Sequence, residues 1–248
     1  MPIHLWWEAD PNVNENSFLD RVKTVLATGT LLILDRGFHG FDFFDYLTEL
    51  GAFFLTRTRA NTSFEVLQVL GDSPHVRDRI IALGQYRSNP CHHPVRRIDV
   101  LVGKAWHGYL TNVLNPQILS AADIVDLYGR RWRIEEAFLL VKRLLGLSYL
   151  WKGAANTIAL QVWASWLLYA VLIDLSDAVA QQLDICLDQV SIEMVYRGLY
   201  HFSVAHHKGL AHDPVTYLST KTNLGIVKRR RKSRERGRLD KYPAELNL

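Results

Sequence analysis

Apolar and polar positions alternate in ways that divide the first sixty residues into short strands and helices. An apolar start at residues 3–7 predicts a strand, and residues 18–26 follow with helical spacing. The apolar run at residues 30–35 is too short for a helix and ends in an acid, which is typical of a buried central strand. Residues 41–50 have the spacing of an amphipathic helix, and residues 52–57 predict a second buried strand. This order indicates an α/β domain with parallel strands.

The pattern changes twice in the remaining chain. Residues 62–115 form short alternating stretches punctuated by glycine and proline, which predicts several antiparallel strands. Ser120 is a suitable N-cap for a helix over residues 121–145, a stretch without proline. Two further apolar helices are predicted within residues 157–187 and 190–200. The carboxyl-terminal part of the chain should therefore be helical.

Charge is distributed unevenly along the 248 residues. The chain carries a net charge of +4, yet residues 196–248 contain 12 Lys/Arg and only 4 Asp/Glu. Residues 228–238 hold eight basic side chains and one acid, a run that has nothing apolar to bury. Such a run indicates an arm that binds a polyanion, with nucleic acid as the favoured partner, or equally a segment that only aids solubility. The phosphate-binding candidates in this arm are Lys228, Arg229, Arg230 and Arg231.

Cysteine content and hydropathy bear on where the protein resides. Cys91 and Cys186 are far apart and outside any CxxC spacing, so neither a disulfide framework nor a zinc knuckle is indicated. The amino terminus has no secretory-signal pattern, and we expect a cytoplasmic protein. Residues 153–173 carry no charge and are long enough to cross a bilayer. Polar residues within that stretch favour a buried core helix and no membrane contact, and membrane association is kept as the less favoured alternative.

The predicted helix over residues 121–145 places a tyrosine and three charged residues on one side. At about 100° per residue, Tyr128, Arg131, Glu135 and Lys142 fall within a sector of about 60°. An adjacent apolar stripe should seat the helix on the sheet, with Glu135 beside it and Glu136 facing solvent. That stripe consists of Ile134, Phe138, Val141 and Leu145. A solvated face stabilised by ion pairs would explain the charges but not the tyrosine among them.

These positions resemble a known family. The spacing Tyr128, Arg131, Glu135 and Lys142 is similar to the signature of DDE transposases of the insertion-sequence four type. Upstream, LLILDRGFHG around Asp35 resembles the segment of that family that holds its second catalytic aspartate. Two such regions in the right order make the resemblance specific, and it covers roughly residues 1–175.

The resemblance implies an α/β, ribonuclease-H-like sheet with flanking helices, a β-rich insertion and a helical carboxyl-terminal part. Under this interpretation residues 1–60 are a partial core, and residues 61–116 are the insertion. Residues 117–200 are the helical remainder of the core, and residues 201–248 are a terminal segment with the basic arm.

The same resemblance implies Mg²⁺-dependent cleavage and strand transfer of DNA, with Mn²⁺ as a substitute metal. Asp35 and Glu135 would be the catalytic metal ligands, while Tyr128, Arg131 and Lys142 would hold phosphates. The partners implied are transposon ends and target DNA, with a homodimer left open.

One difference from the family affects the expected activity. The family's first aspartate lies on a strand before the one that residues 3–7 resemble, and neither Asp10 nor Asp20 takes its place. We therefore expect the first strands and the first metal ligand to be missing from this chain, and the chain alone to be inactive. The alternative is a remnant that binds DNA without chemistry.

Overall fold

A computed structural model describes residues 4, 6, 12–59, 61–150, 153–220 and 222–228. The described residues form two compact units, with the boundary between Trp132 and Arg133. We call the first the sheet unit and the second the helical unit. Only residues 4 and 6 of the strand predicted at residues 3–7 are described, and the basic residues Arg229, Arg230 and Arg231 lie outside the described residues.

The sheet unit begins with a strand–helix–strand element. A short helix α1 (Leu19–Lys23) precedes β1 (Leu31–Ile33), α2 (Phe41–Glu49) and β2 (Phe53–Arg57). β1 and β2 pair in parallel, with Leu31 opposite Phe53, as a helical crossover allows. The predicted strand, helix and strand are therefore confirmed, with ends that differ by one or two residues.

Four antiparallel strands continue the same sheet. They are β3 (Phe64–Asp72), β4 (Val76–Leu83), β5 (Val95–Val102) and β6 (Ala105–Thr111). The strand order is β1-β2-β6-β5-β4-β3, in which β6 pairs antiparallel with β2. The predicted β-rich insertion thus extends the α/β sheet, and the result is a mixed six-stranded, ribonuclease-H-like sheet with flanking helices.

One face of this sheet packs against α2. Phe44 and Phe54 are fully buried and their rings stack at 4.2 Å between centroids. Burial of each such side chain contributes about 1.5–3 kcal/mol. The other face packs against α3 (Ala121–Arg130), where the ring of Tyr128 meets that of Tyr109 edge to face. α3 therefore projects its last turn beside the carboxyl end of β1.

The sequence prediction of one helix over residues 121–145 is wrong. Helix α3 ends at Arg130, Arg131 lies in a turn, and α4 (Trp132–Arg143) begins anew. The predicted apolar stripe is confirmed only in part. Val141 is fully buried and Leu145 packs against the same cluster, whereas Ile134 is 54% exposed and Phe138 is 42% exposed. The other buried residue of α4 is Ala137, which lies outside the predicted stripe. The packed face of α4 is therefore displaced toward Ala137 and overlaps the predicted stripe at Val141.

The rest of the helical unit consists of α5 (Ala155–Gln182), α6 (Ile192–His207) and α7 (Pro214–Thr220). The core joins side chains of all three helices, among them Leu172, Val195 and Leu218. Gln161 and Ser165 are buried, and the Gln161 amide donates to the carbonyl of Tyr149 at 2.6 Å. The opposite side of α5 exposes the apolar residues Leu160, Trp163, Leu167 and Val171.

Candidate active site

Asp35 lies two residues beyond the end of β1, where the chain leaves the sheet. One carboxylate oxygen, Oδ1, accepts a 2.7 Å hydrogen bond from the backbone N–H of Arg36 and so caps the short 3₁₀ turn at Arg36–Phe38. The side chain is still 54% exposed. Asp35 therefore has both a turn-capping role and an oxygen open to solvent at the edge where ligands collect in α/β sheets.

Two of the residues predicted on the helix lie next to Asp35. An Nη atom of Arg131 is 4.0 Å from Asp35 Oδ2, and the Arg131 side chain is only 15% exposed. The Arg131 guanidinium also lies 5.8 Å from the ring centre of Tyr128. The sheet unit thus brings Asp35, Tyr128 and Arg131 into one cluster.

The pKa of the Tyr128 hydroxyl depends on the burial of the side chain and on the charges around it. Burial raises the pKa of the Tyr128 hydroxyl, and the negative charge of Asp35 acts in the same direction. The positive charges of Arg131 and Arg57 partly oppose that rise in pKa. The phenol therefore stays protonated at neutral pH and can donate a hydrogen bond to an anionic ligand.

The sequence analysis missed Arg57 and His107. The Arg57 guanidinium lies 2.8 Å from Nδ1 of His107, on the same side of the sheet as Tyr109. Burial lowers the pKa of His107, and the charge of Arg57 lowers it further, so His107 is neutral and can accept from Arg57. Only the pairing of β2, β5 and β6 brings these side chains together, and no sequence spacing signals it.

Glu135 and Lys142 belong to α4 in the helical unit. Both Glu135 and Glu136 are exposed, so the predicted difference in burial between the two glutamates is wrong. The Lys142 ammonium lies 6.0 Å from the ring centre of Phe138. Two residues before Glu135, Arg133 forms an ion pair with Asp188, in which one guanidinium nitrogen lies 2.6 Å from each carboxylate oxygen.

Lys228 is the one member of the predicted basic arm that the described residues include. Its ammonium donates to the carbonyl of Asp188 at 3.0 Å, and the side chain is exposed.

The carboxylates of the described residues are too widely spaced to form a complete site for a divalent cation. In the described part of the chain, no three His, Cys, Asp or Glu side chains cluster closely enough to hold a metal ion. Asp35 supplies one carboxylate, whereas hard cations take several oxygen ligands. The sheet unit therefore supplies one carboxylate ligand, Asp35, and not a complete metal site.

Comparison with known proteins identifies the family of this chain. Residues 7–167 match the family described as "Transposase DDE domain", which is more than half of the chain. The chain therefore belongs to the DDE transposase family, and the resemblance drawn from its sequence is confirmed.

A curated relative supports the same family. The chain is 26% identical over 170 residues to the "Putative transposase y4zB" of Sinorhizobium fredii. That alignment takes in 66% of this chain and 47% of the relative, so the chain spans about half the length of the relative.

Proposed function

We propose that this chain acts in DNA transposition, as the part of a DDE transposase that cuts transposon ends and joins them to target DNA. The observation that carries the proposal is the cluster of Asp35, Tyr128 and Arg131 beside β1, in a chain that belongs to this family. A carboxylate at a strand end, flanked by a guanidinium and a phenol, suits a phosphodiester held beside a metal ion.

Asp35 and Glu135 are the proposed ligands for Mg²⁺, with Mn²⁺ as a substitute. When bound, such a metal would polarise the scissile phosphate and activate the attacking oxygen. The protein's own share is positioning: Arg131 can form two parallel hydrogen bonds to a phosphate, and Tyr128 can donate one more. Lys142 would add a positive charge, and the basic arm would hold DNA less specifically.

The experiment compares neighbouring carboxylates. Supercoiled plasmid DNA that carries the element's ends is incubated with the transposase and Mg²⁺, and nicked products are quantified. In the transposase that is active in this assay, Asp35→Asn and Glu135→Gln in this chain should each abolish Mg²⁺-dependent nicking. Glu136→Gln is the matched control, because it removes the adjacent exposed carboxylate from the same helix. Equal loss in Glu135→Gln and Glu136→Gln, or no loss in either, would refute the assignment of Glu135.

The 248-residue chain by itself should bind DNA but not cleave it. The reason is that the two proposed ligands, Asp35 and Glu135, supply fewer oxygen ligands than hard cations usually take. Nicking by this chain alone, dependent on Mg²⁺ and lost in Glu135→Gln, would overturn that expectation. A cytoplasmic location and a homodimer also stay predictions, which fractionation and light scattering would test.

The same observation favours a second candidate, a DNA-binding protein without chemistry. In that case affinity should fall steeply with salt and be unchanged by EDTA, and Asp35→Asn should strengthen binding or leave it unchanged. A requirement for Mg²⁺ in binding the transposon ends would favour the catalytic role instead.

Helix α5 supports a third candidate, association with a membrane. It has 28 residues, a mean hydropathy of 1.7 over its most apolar 18-residue window, and 28% of that window buried. This is weak support, because core helices of globular proteins share the same length and composition. Recovery of the protein in the soluble fraction without detergent would exclude it.

A further inference from the structure

A cleft of about 300 Å³ lies in the sheet unit beside the turn that follows Asp35. Its size is at the lower end of the range of ligand sites in proteins. We call it the arginine cleft. The side chains that line it are His39, Phe41, Arg59, Asn61, Thr62 and Arg87.

Arg59 connects the arginine cleft to the candidate active site. Its guanidinium donates to the carbonyl of Arg36 at 2.7 Å and 3.1 Å, and to the carbonyl of Gly37 at 3.3 Å. These carbonyls belong to the turn that Asp35 caps. A ligand that touches Arg59 therefore lies next to the backbone that positions Asp35.

The arginine cleft is positively charged. It holds two guanidiniums, and no carboxylate occurs among its described lining residues. The guanidinium of Arg87 lies 3.5 Å from the carbonyl of Asn61, a long contact that leaves Arg87 exposed. Two arginines without an acid create a field that favours an anion, and guanidinium geometry matches phosphate oxygens.

His39 is one of the side chains that line the arginine cleft, and it is kept uncharged. Burial lowers the pKa of its imidazole to about 4, and the positive charges of Arg59 and Arg87 add to the effect. The ring packs edge to face against Phe41 and Phe44. Its Nε2 atom is buried and has no hydrogen-bond partner among the described residues. A buried polar atom without a partner costs free energy, and a ligand would recover it only if the side chains that cover Nε2 moved aside.

We propose that the arginine cleft binds a backbone phosphate of the DNA strand, between Arg59 and Arg87 and against His39. The inference rests on the proposed function, because it takes DNA as the ligand, and it adds a contact outside the signature residues. A phosphate here would cancel the two positive charges, and Asn61 and Thr62 offer further hydrogen bonds at the rim. DNA seated on Arg59 would also be held beside Asp35.

The test is the salt dependence of DNA binding by the full 248-residue chain, measured in EDTA so that no cleavage occurs. Arg87→Gln is the first variant, because Arg87 is exposed and its loss should leave thermal stability unchanged. It should weaken binding and reduce the slope of log K against log salt by about 0.9, as expected for one lost phosphate contact. Lys104→Gln is the matched control: it removes one exposed positive charge from the sheet unit, outside the cleft, and should leave the slope unchanged.

A second readout reports directly on His39. Its imidazole ¹⁵N resonances are recorded while a short DNA duplex or inorganic phosphate is added to the native chain and to Arg87→Gln. The duplex should shift the His39 signals of the native chain at much lower concentration than inorganic phosphate does, and Arg87→Gln should raise the concentration required.

The outcomes separate the two proposals. If the native chain does not bind DNA at all, both the proposed function and this inference fail. If it binds DNA with a steep salt slope but Arg87→Gln has the native slope and the His39 signals do not move, only the arginine cleft is refuted. A response of His39 to inorganic phosphate and not to DNA would mean a site for small anions, and would also refute it.

Discussion

Arg96 is fully buried and lies at the centre of a polar network in the sheet unit. Its guanidinium pairs with Asp78 through two hydrogen bonds, at 2.8 Å and 2.5 Å. It also donates to the carbonyl of Leu119 at 2.7 Å, just before the N-cap of α3. A buried charge of this kind is tolerated only while its partners are present.

Removing one partner of this pair should be far more harmful than removing both. Asp78→Ala should lower the free energy of unfolding by about 3–5 kcal/mol, because it leaves the Arg96 charge buried and uncompensated. The double variant Asp78→Leu with Arg96→Met should recover most of that loss. Urea unfolding of the single and double variants measures both values. A double variant as unstable as the single one would show that the pair is not the cause.

His39 should make stability dependent on pH. Its pKa is about 4 in the folded protein, against an ordinary value of 6.5. Between those values the unfolded chain takes up a proton that the folded protein does not. The free energy of unfolding should therefore fall as pH drops from 6.5 to 4, by on the order of 1–2 kcal/mol from this residue, because solvent screens the half-buried ring.

Replacing the imidazole isolates this contribution. His39→Gln cannot take up the proton, so its urea midpoint should fall less than that of the native chain between pH 7 and pH 4.5. Parallel pH profiles for the two proteins would contradict the assigned pKa.

At the scale of elements, the strands were predictable and the helix break was not. The short apolar runs that became β1 and β2 are too brief for helices, so their pattern had one interpretation. The stretch that became α3 and α4 has helical spacing throughout and no proline to mark its interruption at Arg131. Gly129 costs a helix only about 1 kcal/mol, which does not by itself predict a stop.

The candidate site likewise contains residues that could be predicted from the sequence and residues that could not. Asp35 could be recognised because a strand end is visible in the sequence. Arg57, His107 and the arginine cleft could not, because their side chains meet only through pairing between distant strands. Pair distances across a sheet depend on register, and the sequence did not define register in the β-rich segment.

Helix α3 should depend measurably on its N-cap. The Ser120 side chain accepts from the backbone N–H of Asp123, and the Asp123 carboxylate accepts from that of Ser120. Ser120→Ala removes this capping box and should cost about 1 kcal/mol in urea unfolding. Ser120→Thr is the matched control, because threonine keeps the hydroxyl that caps the helix and donates to Asp123. Equal losses in the two variants would argue against capping as the cause.

At the scale of the whole molecule, the family signature is divided between two compact units. Tyr128 and Arg131 belong to the sheet unit, whereas Glu135 and Lys142 belong to the helical unit. The boundary lies within the three residues that separate Arg131 from Glu135. Spacing along the chain identified the family, but it carries no information on how residues from separate units meet.

The basic arm should dominate the salt dependence of DNA binding. Replacing Lys228, Arg229, Arg230 and Arg231 with glutamine should reduce the slope of log K against log salt by about three to four, because up to four phosphate contacts are lost. A variant with residues 228–238 scrambled keeps the charge and should retain the native slope. Unchanged binding in the glutamine variant would mean that the arm only aids solubility.

The contact between α2 and the segment before β5 leaves the protein with a built-in reporter of local opening. The Cys91 thiol is buried against Asp45, and burial together with that carboxylate raises its pKa to about 12. Cys186 is exposed, so a maleimide should modify Cys186 within the mixing time and Cys91 only when α2 separates from the strands. In a Cys186→Ser variant, the slow rate at which the Cys91 thiol is alkylated would measure how often α2 separates transiently from the segment before β5. No introduced label is needed.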